Sequence, residues 1–591
     1  MREAATPTES RTPMRLGDFR CLAEALDYAS GSDTGYNFYT ARGELAAAVS
    51  YGELRDQALS LARRLGNLGL ARGERVAVVA DTTPDFSRVF FACQYAGLTP
   101  VPLSAALRFG GADAYVRQLR YLLTRSRARV AVGAGAFLPL LARAAEGMAL
   151  RFVGDVAALA TLGEARGAVR PLEADELAYI QYTSGTTAAA RGVAITQRAV
   201  LSNLGGILQH GLRVRPGDRC TSWLPYYHDM GLVGFVLAPM AAQVSVDYLR
   251  PSDFALRPQQ WLALISRMRG TISFGPTFGY DLCARRLRSK PLDGVDLGSW
   301  RVAGVGAEMI RAEVLERFAD AVAASGFDRA AFLPCYGMAE CSLAVSFSPL
   351  GSGVAVDRVD AVALEAAGLA RPVGEPSSAR TTRFIHCGIP LPGYEIEVRD
   401  DAGRVLPDRH CGTIFVRGPS VMLGYADDPV ATSETLSSDG WLDTGDLGYR
   451  VDGGLVVTGR KKDLLIILGR NIWPQDLERI ADTEAPAGVL EAAAFSTPDA
   501  EDAEEAVLVV ECRDPKAARQ SGLIERLQAR ILEEFAIACT IDLVAPRTLP
   551  RTSSGKLPRA EARREYLARA GGRPSEPDAE PRLATAAGGG G

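Results

Sequence analysis

The string YTSGTTAAARGV at residues 182–193 gathers hydroxyls at Thr183, Ser184, Thr186 and Thr187 around the unhindered backbone of Gly185, and adds a cation at Arg191. Backbone N–H groups converging in a tight turn form an anion nest. With hydroxyls and a guanidinium beside it, such a turn has the composition needed to surround phosphate oxygens. The competing reading is a polar surface turn. The string is not a Walker A motif, because that spacing and its lysine are absent.

Four further strings carry candidate chemistry. GVGAE at residues 304–308 and PCYGMAE at 334–340 each follow an apolar run, so both are expected as loops at strand ends, where open α/β sheets receive ligands. Glu340 in such a loop could hold a hard cation bridging phosphate oxygens, although a lone glutamate is usually just solvated. WLDTGDLG at 441–448 offers Asp446 in a turn, where one carboxylate can accept from both hydroxyls of a ribose. Lys556 in PRTSSGKLPR sits on a glycine-containing loop, able to carry an ammonium to charge developing on a carboxylate and a phosphate; alone, it reads as a surface lysine.

These residues need a scaffold. A helix is expected at residues 54–68, a strand at 75–80, a helix at 86–98 and a turn at Thr99-Pro100-Val101-Pro102. Further strands are expected at 129–132, 178–182, 243–248, 271–274, 300–303 and 331–333, with helix-length segments between several of them. This alternation predicts βαβ units and a largely parallel sheet. After Arg383 the texture changes to short strands and turns, as at 412–416 and 454–457, which reads as a small β-rich subdomain. A charged junction at 459–463 precedes a compact α+β unit with helices at 475–483 and 522–535 and strands at 506–512 and 541–544.

Bulk properties fit this plan and exclude others. At 591 residues, with 47% apolar and 23% charged, the chain exceeds one ordinary core and predicts a large domain with a smaller partner. The net charge of −4, with both signs interspersed, lacks the footprint of a nucleic-acid binder. Ten cysteines without a CxxC pair point to free thiols and not to zinc. The first residues lack the apolar core of a secretion signal. The most apolar later stretch, 231–246, is shorter than a bilayer span, so no stable membrane insertion and a cytoplasmic location are expected.

In order, these strings resemble the adenylate-forming family of acyl-CoA synthetases, nonribosomal peptide adenylation domains and luciferases. The chain departs from the usual phosphate loop at Ala188, Ala190 and Arg191, where the family carries glycine, proline and lysine. The resemblance implies ATP and Mg2+ as cofactors. It puts Thr183, Ser184, Gly185, Thr186, Thr187 and Arg191 on the phosphates, and Thr187 and Glu340 on the metal. It puts Gly306, Ala307, Glu308, Cys335, Tyr336, Gly337 and Met338 around the nucleotide, with Tyr336 against adenine, and Asp446 and Arg460 on the rest of it. Lys556, Arg460 and His228 become the catalytic set, and Lys462 falls at the hinge of the small domain. His228 either lines the carboxylate end of the acid site or hydrogen-bonds Asp229 to hold its loop; positioning is favoured, because an ionised carboxylate has no proton to lose.

Within the family, LPYYHDMGLVG at 224–234, GPTFGYDLCARR at 275–286 and GRNIWPQDLE at 469–478 resemble fatty acyl-AMP ligases. Residues 346–384 resemble the insertion of that branch, which is thought to restrict domain movement, with Val354, Val356, Val359, Val362 and Leu364 as its expected adhesive face. The implied fold is α/β: a flexible start at 1–14, a large adenylation domain at 15–459 with parallel sheets and a β-rich part at 385–458, a small mobile α+β domain at 460–570, and a disordered tail at 571–591. The implied reaction converts a fatty acid to acyl-AMP and passes the acyl group to the phosphopantetheine thiol of an acyl carrier protein, or of a polyketide or nonribosomal peptide synthase carrier domain, arriving in trans. A fatty acyl-CoA synthetase and a non-catalytic nucleotide- or acyl-binding homologue are the alternatives.

Overall fold

A computed structural model describes residues 13–105, 111–165, 168–183, 190–289, 294–374, 380–467, 470–485, 488–498, 504–551 and 557–570. The flexible start up to residue 12 and the 571–591 tail expected from the sequence lie outside the described residues.

The helix Tyr51–Gly66 illustrates how local sequence sets an element. Ser50 and Glu53 form a reciprocal capping box at its start. Leu54, Ala58, Leu61, Ala62 and Leu65 recur on one face, and all are buried. Comparable helices cover a sheet that, among the described residues, has nine strands. Its centre is six parallel strands in the order Phe332–Gly337, Val302–Val305, Ile272–Gly275, Cys220–Ser222, Val246–Leu249 and Gly35–Tyr39. Antiparallel strands close both edges. A second sheet, all parallel, runs Thr99–Leu103, Arg75–Val79, Val130–Val132 and Phe152–Gly154. The predicted large α/β domain is therefore present.

Three expectations change in detail. Thr99-Pro100-Val101-Pro102 is no turn: it forms the buried strand Thr99–Leu103, paired with Arg75–Val79. Its two prolines are accommodated because the strand is the edge of its sheet, where a missing N–H costs no ladder bond. The strand expected from residue 243 starts at Val246, because Gln243 is left-handed with φ 51° and ends the preceding helical turn. The strand Leu177–Tyr182 is as predicted but, among the described residues, joins no parallel sheet; it pairs antiparallel with Gly192–Thr196, which brings the two ends of the phosphate-loop string side by side.

The β-rich part is an antiparallel sheet of Glu395–Arg399, Gly412–Arg417, Leu442–Val451 and Gly454–Arg460. Beyond it, Val489–Pro498, Glu504–Cys512 and Cys539–Val544 form a sheet carrying the helices Pro474–Glu484 and Leu523–Phe535. Their apolar faces make a separate core that draws on residues from Leu465 onward.

Candidate active site

A cleft of about 1550 Å³ opens at the carboxyl ends of the central parallel strands, between the large domain and the small C-terminal unit. Two strand-end loops meet at its floor. A Cβ on Gly306 would lie 2.9 Å from Cys335 Sγ, so only glycine permits this approach. Ala307 accepts a left-handed φ of 71°, an uncommon conformation for a residue with a side chain. Glu308 Oε1 accepts from the Phe278 backbone N–H at 2.7 Å and ties its loop to the next strand end. On the neighbouring strand, a Cβ on Gly337 would lie 1.8 Å from the Leu343 carbonyl. Ala307, Glu308, Cys335, Tyr336, Gly337 and Met338 all line the cleft, while Gly306 packs immediately behind it.

Asp446 lies across from Tyr336 and Arg460. It is 6% exposed, and its backbone pairs with Arg460 on the antiparallel strand. Arg460 Nε stands 3.0 Å from Asp446 Oδ1, and the Tyr336 hydroxyl donates to Oδ2 at 2.8 Å. Burial drives the Tyr336 phenol well above its ordinary pKa, so it stays a donor. Asp446 raises the Arg460 guanidinium further, fixing it as a cation. Each oxygen of the carboxylate retains lone-pair capacity for an outside hydroxyl.

The phosphate-loop hairpin is closed by the Thr183 N–H donating to the Arg191 carbonyl at 2.9 Å. Ser184, Gly185, Thr186 and Thr187 lie outside the described residues, as does Ala188. Arg191 projects into the cleft with its guanidinium carbon 5.0 Å from the Tyr425 ring centroid. The Tyr425 hydroxyl in turn donates to Glu340 Oε1 at 2.9 Å. Burial pushes the Glu340 carboxyl up, and this hydrogen bond pulls it back. Sequence reasoning missed Tyr425; its signal would have been the tyrosine of GYADDP at residues 424–429, a string with no obvious chemistry of its own.

His228 lies at the turn between the polar and apolar ends of the cleft. Its Nδ1 is 2.6 Å from Asp229 Oδ1, and the Met230 N–H approaches both. His228 also lines the cleft, so this geometry is compatible with both roles considered for it. Beyond His228 the cleft is apolar, bounded by Ile207, Leu208, Leu212, Phe235, Val244 and Phe274. The depth comes from two π-helical segments, Gly206–Gly211 and Leu232–Leu237, a wide turn often found at functional sites.

Lys556 lies outside the described residues, while Arg551 and Leu557 on either side of its loop line the cleft. Arg559, just beyond, forms half-buried ion pairs with Glu478 at 2.7 Å and Asp463 at 3.0 Å. The 346–384 segment forms the antiparallel strands Val356–Asp360 and Thr381–Ile385 with the helix Ala361–Ala367. Val359 and Leu364 pack with Leu447, Tyr449, Leu464 and Trp473, so they join the β-rich sheet to the start of the small unit. Two corrections follow. Val362 is 55% exposed, and Val354 and Val356 pack against the main core. Much of the contact is instead polar: Glu365, 2% exposed, pairs with Arg380 and, at 2.5 Å, with Arg470 of the small unit, while Arg380 lies over the Phe535 ring. The helical register of Ala361–Ala367 explains this, since it turns Glu365 inward beside Leu364 and leaves Val362 outside.

The fold and this cleft define an adenylate-forming enzyme: residues 37–426 match the model of the AMP-binding enzyme family, and the chain belongs to that family. It falls in the fatty acyl-AMP ligase and acyl-CoA synthetase branch. It is similar, at TM-score 0.90 and 47% identity, to a solved structure from work on the fatty acyl-adenylate ligases of E. coli and L. pneumophila, over 95% of this chain and 100% of that one. A Caulobacter vibrioides protein provisionally named an acyl-CoA synthetase is 44% identical over 95% of this chain and 98% of its own length. The medium-chain-fatty-acid–[acyl-carrier-protein] ligase JamA of Moorena producens is 29% identical over 94% and 96%.

Proposed function

We propose that this enzyme activates a fatty acid with ATP and delivers the acyl group to a carrier-protein thiol. One observation carries the reading: a single cleft joins a polar end, with Asp446, Tyr336, Arg191 and Glu340, to an apolar end that begins past His228. A nucleotide and an acyl chain can therefore meet with the acid's carboxylate between them.

In the first half-reaction a carboxylate oxygen attacks the α-phosphorus of ATP, the bond to the β-phosphate breaks, and pyrophosphate leaves. Asp446 accepts from the ribose hydroxyls, Arg460 holds Asp446 and faces the phosphates, and the Tyr336 ring packs against adenine. Thr183, Ser184, Gly185, Thr186, Thr187 and Arg191 receive the phosphate oxygens, and Lys556 meets the charge that develops between carboxylate and α-phosphate. His228, held by Asp229, orients the entry to the acyl site. Glu340, an ionisable oxygen donor at the cleft wall, is chemically suited to Mg2+ together with Thr187, where the ion would offset phosphate charge.

In the second half-reaction a thiol attacks the acyl carbonyl, its proton passes to solvent, and AMP departs. The contact of residues 346–384 with the small unit supports carrier-bound phosphopantetheine over free CoA, since CoA ligation in the family needs that unit to turn. Two relatives, JamA and TtuA, bear names that specify ligation to an acyl carrier protein. Among the described residues no helix is long and apolar enough to cross a membrane, which fits a cytoplasmic site of action.

Acid-dependent exchange of labelled pyrophosphate into ATP tests the first half. Exchange with fatty acids is expected, and its absence from short to long chains would overturn the reading. Offering CoA and a holo-carrier protein in competition tests the second; rapid acyl-CoA formation would favour the synthetase alternative.

A further inference from the structure

We infer that Tyr425 is a positioning residue for the triphosphate end of the nucleotide, a role that rests on the adenylating function proposed above. It holds two opposite charges, Arg191 and Glu340, on either side of itself. All three side chains line the cleft. The ring lies under the Arg191 guanidinium, and the hydroxyl donates to Glu340 Oε1.

Its place is fixed by the backbone. Gly424 and Tyr425 pair with Ala194 and Val193, on the strand that leaves the phosphate loop. The Leu423 and Ala426 N–H groups donate to the Ala194 and Gly192 carbonyls at 2.9 and 2.7 Å, and the Met422 N–H donates to the Glu340 carbonyl at 2.7 Å. The Tyr425 N–H is taken by Thr432 Oγ1 at 2.9 Å. One short segment thus fastens the exit of the phosphate loop to the Glu340 turn, and Tyr425 repeats the connection with its side chain.

The chemistry of the two charges explains why an aromatic hydroxyl stands there. Arg191 and Glu340 make no direct ion pair; a direct pair would neutralise the cation that phosphates need and the carboxylate that a hard cation needs. A tyrosine engages both at once: its ring and hydroxyl lie beside the guanidinium, and the hydroxyl donates to the carboxylate. The flat guanidinium suits a ring face better than a compact ammonium does, so arginine at 191 and tyrosine at 425 act as a pair.

The test compares the wild-type protein with Tyr425→Phe, Tyr425→Leu and Arg191→Lys. Equilibrium dissociation constants for ATP and for AMP are measured by calorimetry with Mg2+ and no acid, so that no turnover occurs. Tyr425→Leu, which loses both the ring contact with Arg191 and the hydrogen bond to Glu340, is expected to weaken ATP about tenfold, and to leave AMP within about twofold because AMP lacks the β- and γ-phosphates. Tyr425→Phe, which keeps the ring, is expected to lose about threefold for ATP and to raise KM for ATP more than it lowers kcat. Arg191→Lys is expected to weaken ATP although it keeps the charge. Unchanged ATP binding by both Tyr425 variants, or equal losses for ATP and AMP, would overturn the role. A wild-type protein that binds ATP yet shows no pyrophosphate exchange would instead count against the adenylating function.

Discussion

Asp446 and Arg460 face one another across an antiparallel strand pair, with Nε 3.0 Å from Oδ1, and the Tyr336 hydroxyl completes the grip on the same carboxylate. A carboxylate held at both oxygens has little freedom, so a ribose would meet acceptors already in place. Asp446→Ala should weaken ATP and AMP alike, by about tenfold or more, since hydrogen bonds to a charged group contribute about 1.5–3 kcal/mol. Calorimetric titration of both nucleotides checks this. An effect on ATP alone would move Asp446 away from the ribose.

Lys556→Ala should lower the rate of adenylate formation by about 100- to 1000-fold, the usual loss when one group aimed at developing charge is removed. The melting temperature should stay near wild type. Pyrophosphate exchange and a thermal melt measured on one preparation decide it.

Breaking the contact made by Glu365 should free the small unit. Arg470→Ala leaves Glu365 buried with Arg380 as its remaining partner, so the loss should stay below the roughly 3–5 kcal/mol of a buried charge left unpaired. Hydrogen exchange should quicken in Arg470–Ile472 and in the helix Pro474–Glu484, and any acyl-CoA side activity should rise. Unaltered exchange in both segments would show that the apolar packing of Val359 and Leu364 holds the unit without the ion pair.

The same contact should depend on pH. Burial pushes the Asp476 carboxyl up to about 6, where it faces Thr382 Oγ1 at 3.4 Å on the insertion. Glu365 adds to the shift, with a smaller push from Glu534, while Arg479 and Arg380 oppose it. Because the docked value is raised, the proton stabilises the docked arrangement: the contribution is full below the ordinary aspartate range and fades as pH rises through about 6. Protection of the helix Pro474–Glu484 should therefore fall between about pH 5 and 7. In Asp476→Asn that pH dependence should vanish, and a helix equally protected at both pH values in the wild type would contradict the assignment.

The sequence by itself determined the elements and the strings at their ends. Periodicity marked the helix Tyr51–Gly66 and the strands Arg75–Val79, Ile272–Gly275 and Glu504–Cys512, because burial of one face is written residue by residue along each segment. It also located Tyr336, Glu340 and Asp446, since each lies in a short distinctive string, although Asp446 sits within the strand Leu442–Val451 and not in the turn its string suggests, because its backbone pairs with Arg460. What only the tertiary structure decided were the partners that distant segments bring. Tyr425 meets Glu340 from 85 residues away, and Arg470 meets Glu365 from 105. Neither pairing leaves a local trace, because a hydrogen bond or ion pair between elements depends on how sheets and helices stack. The strand Thr99–Leu103 shows the same limit within a single element: its prolines spell a turn locally, and only its position at the edge of a parallel sheet makes them tolerable.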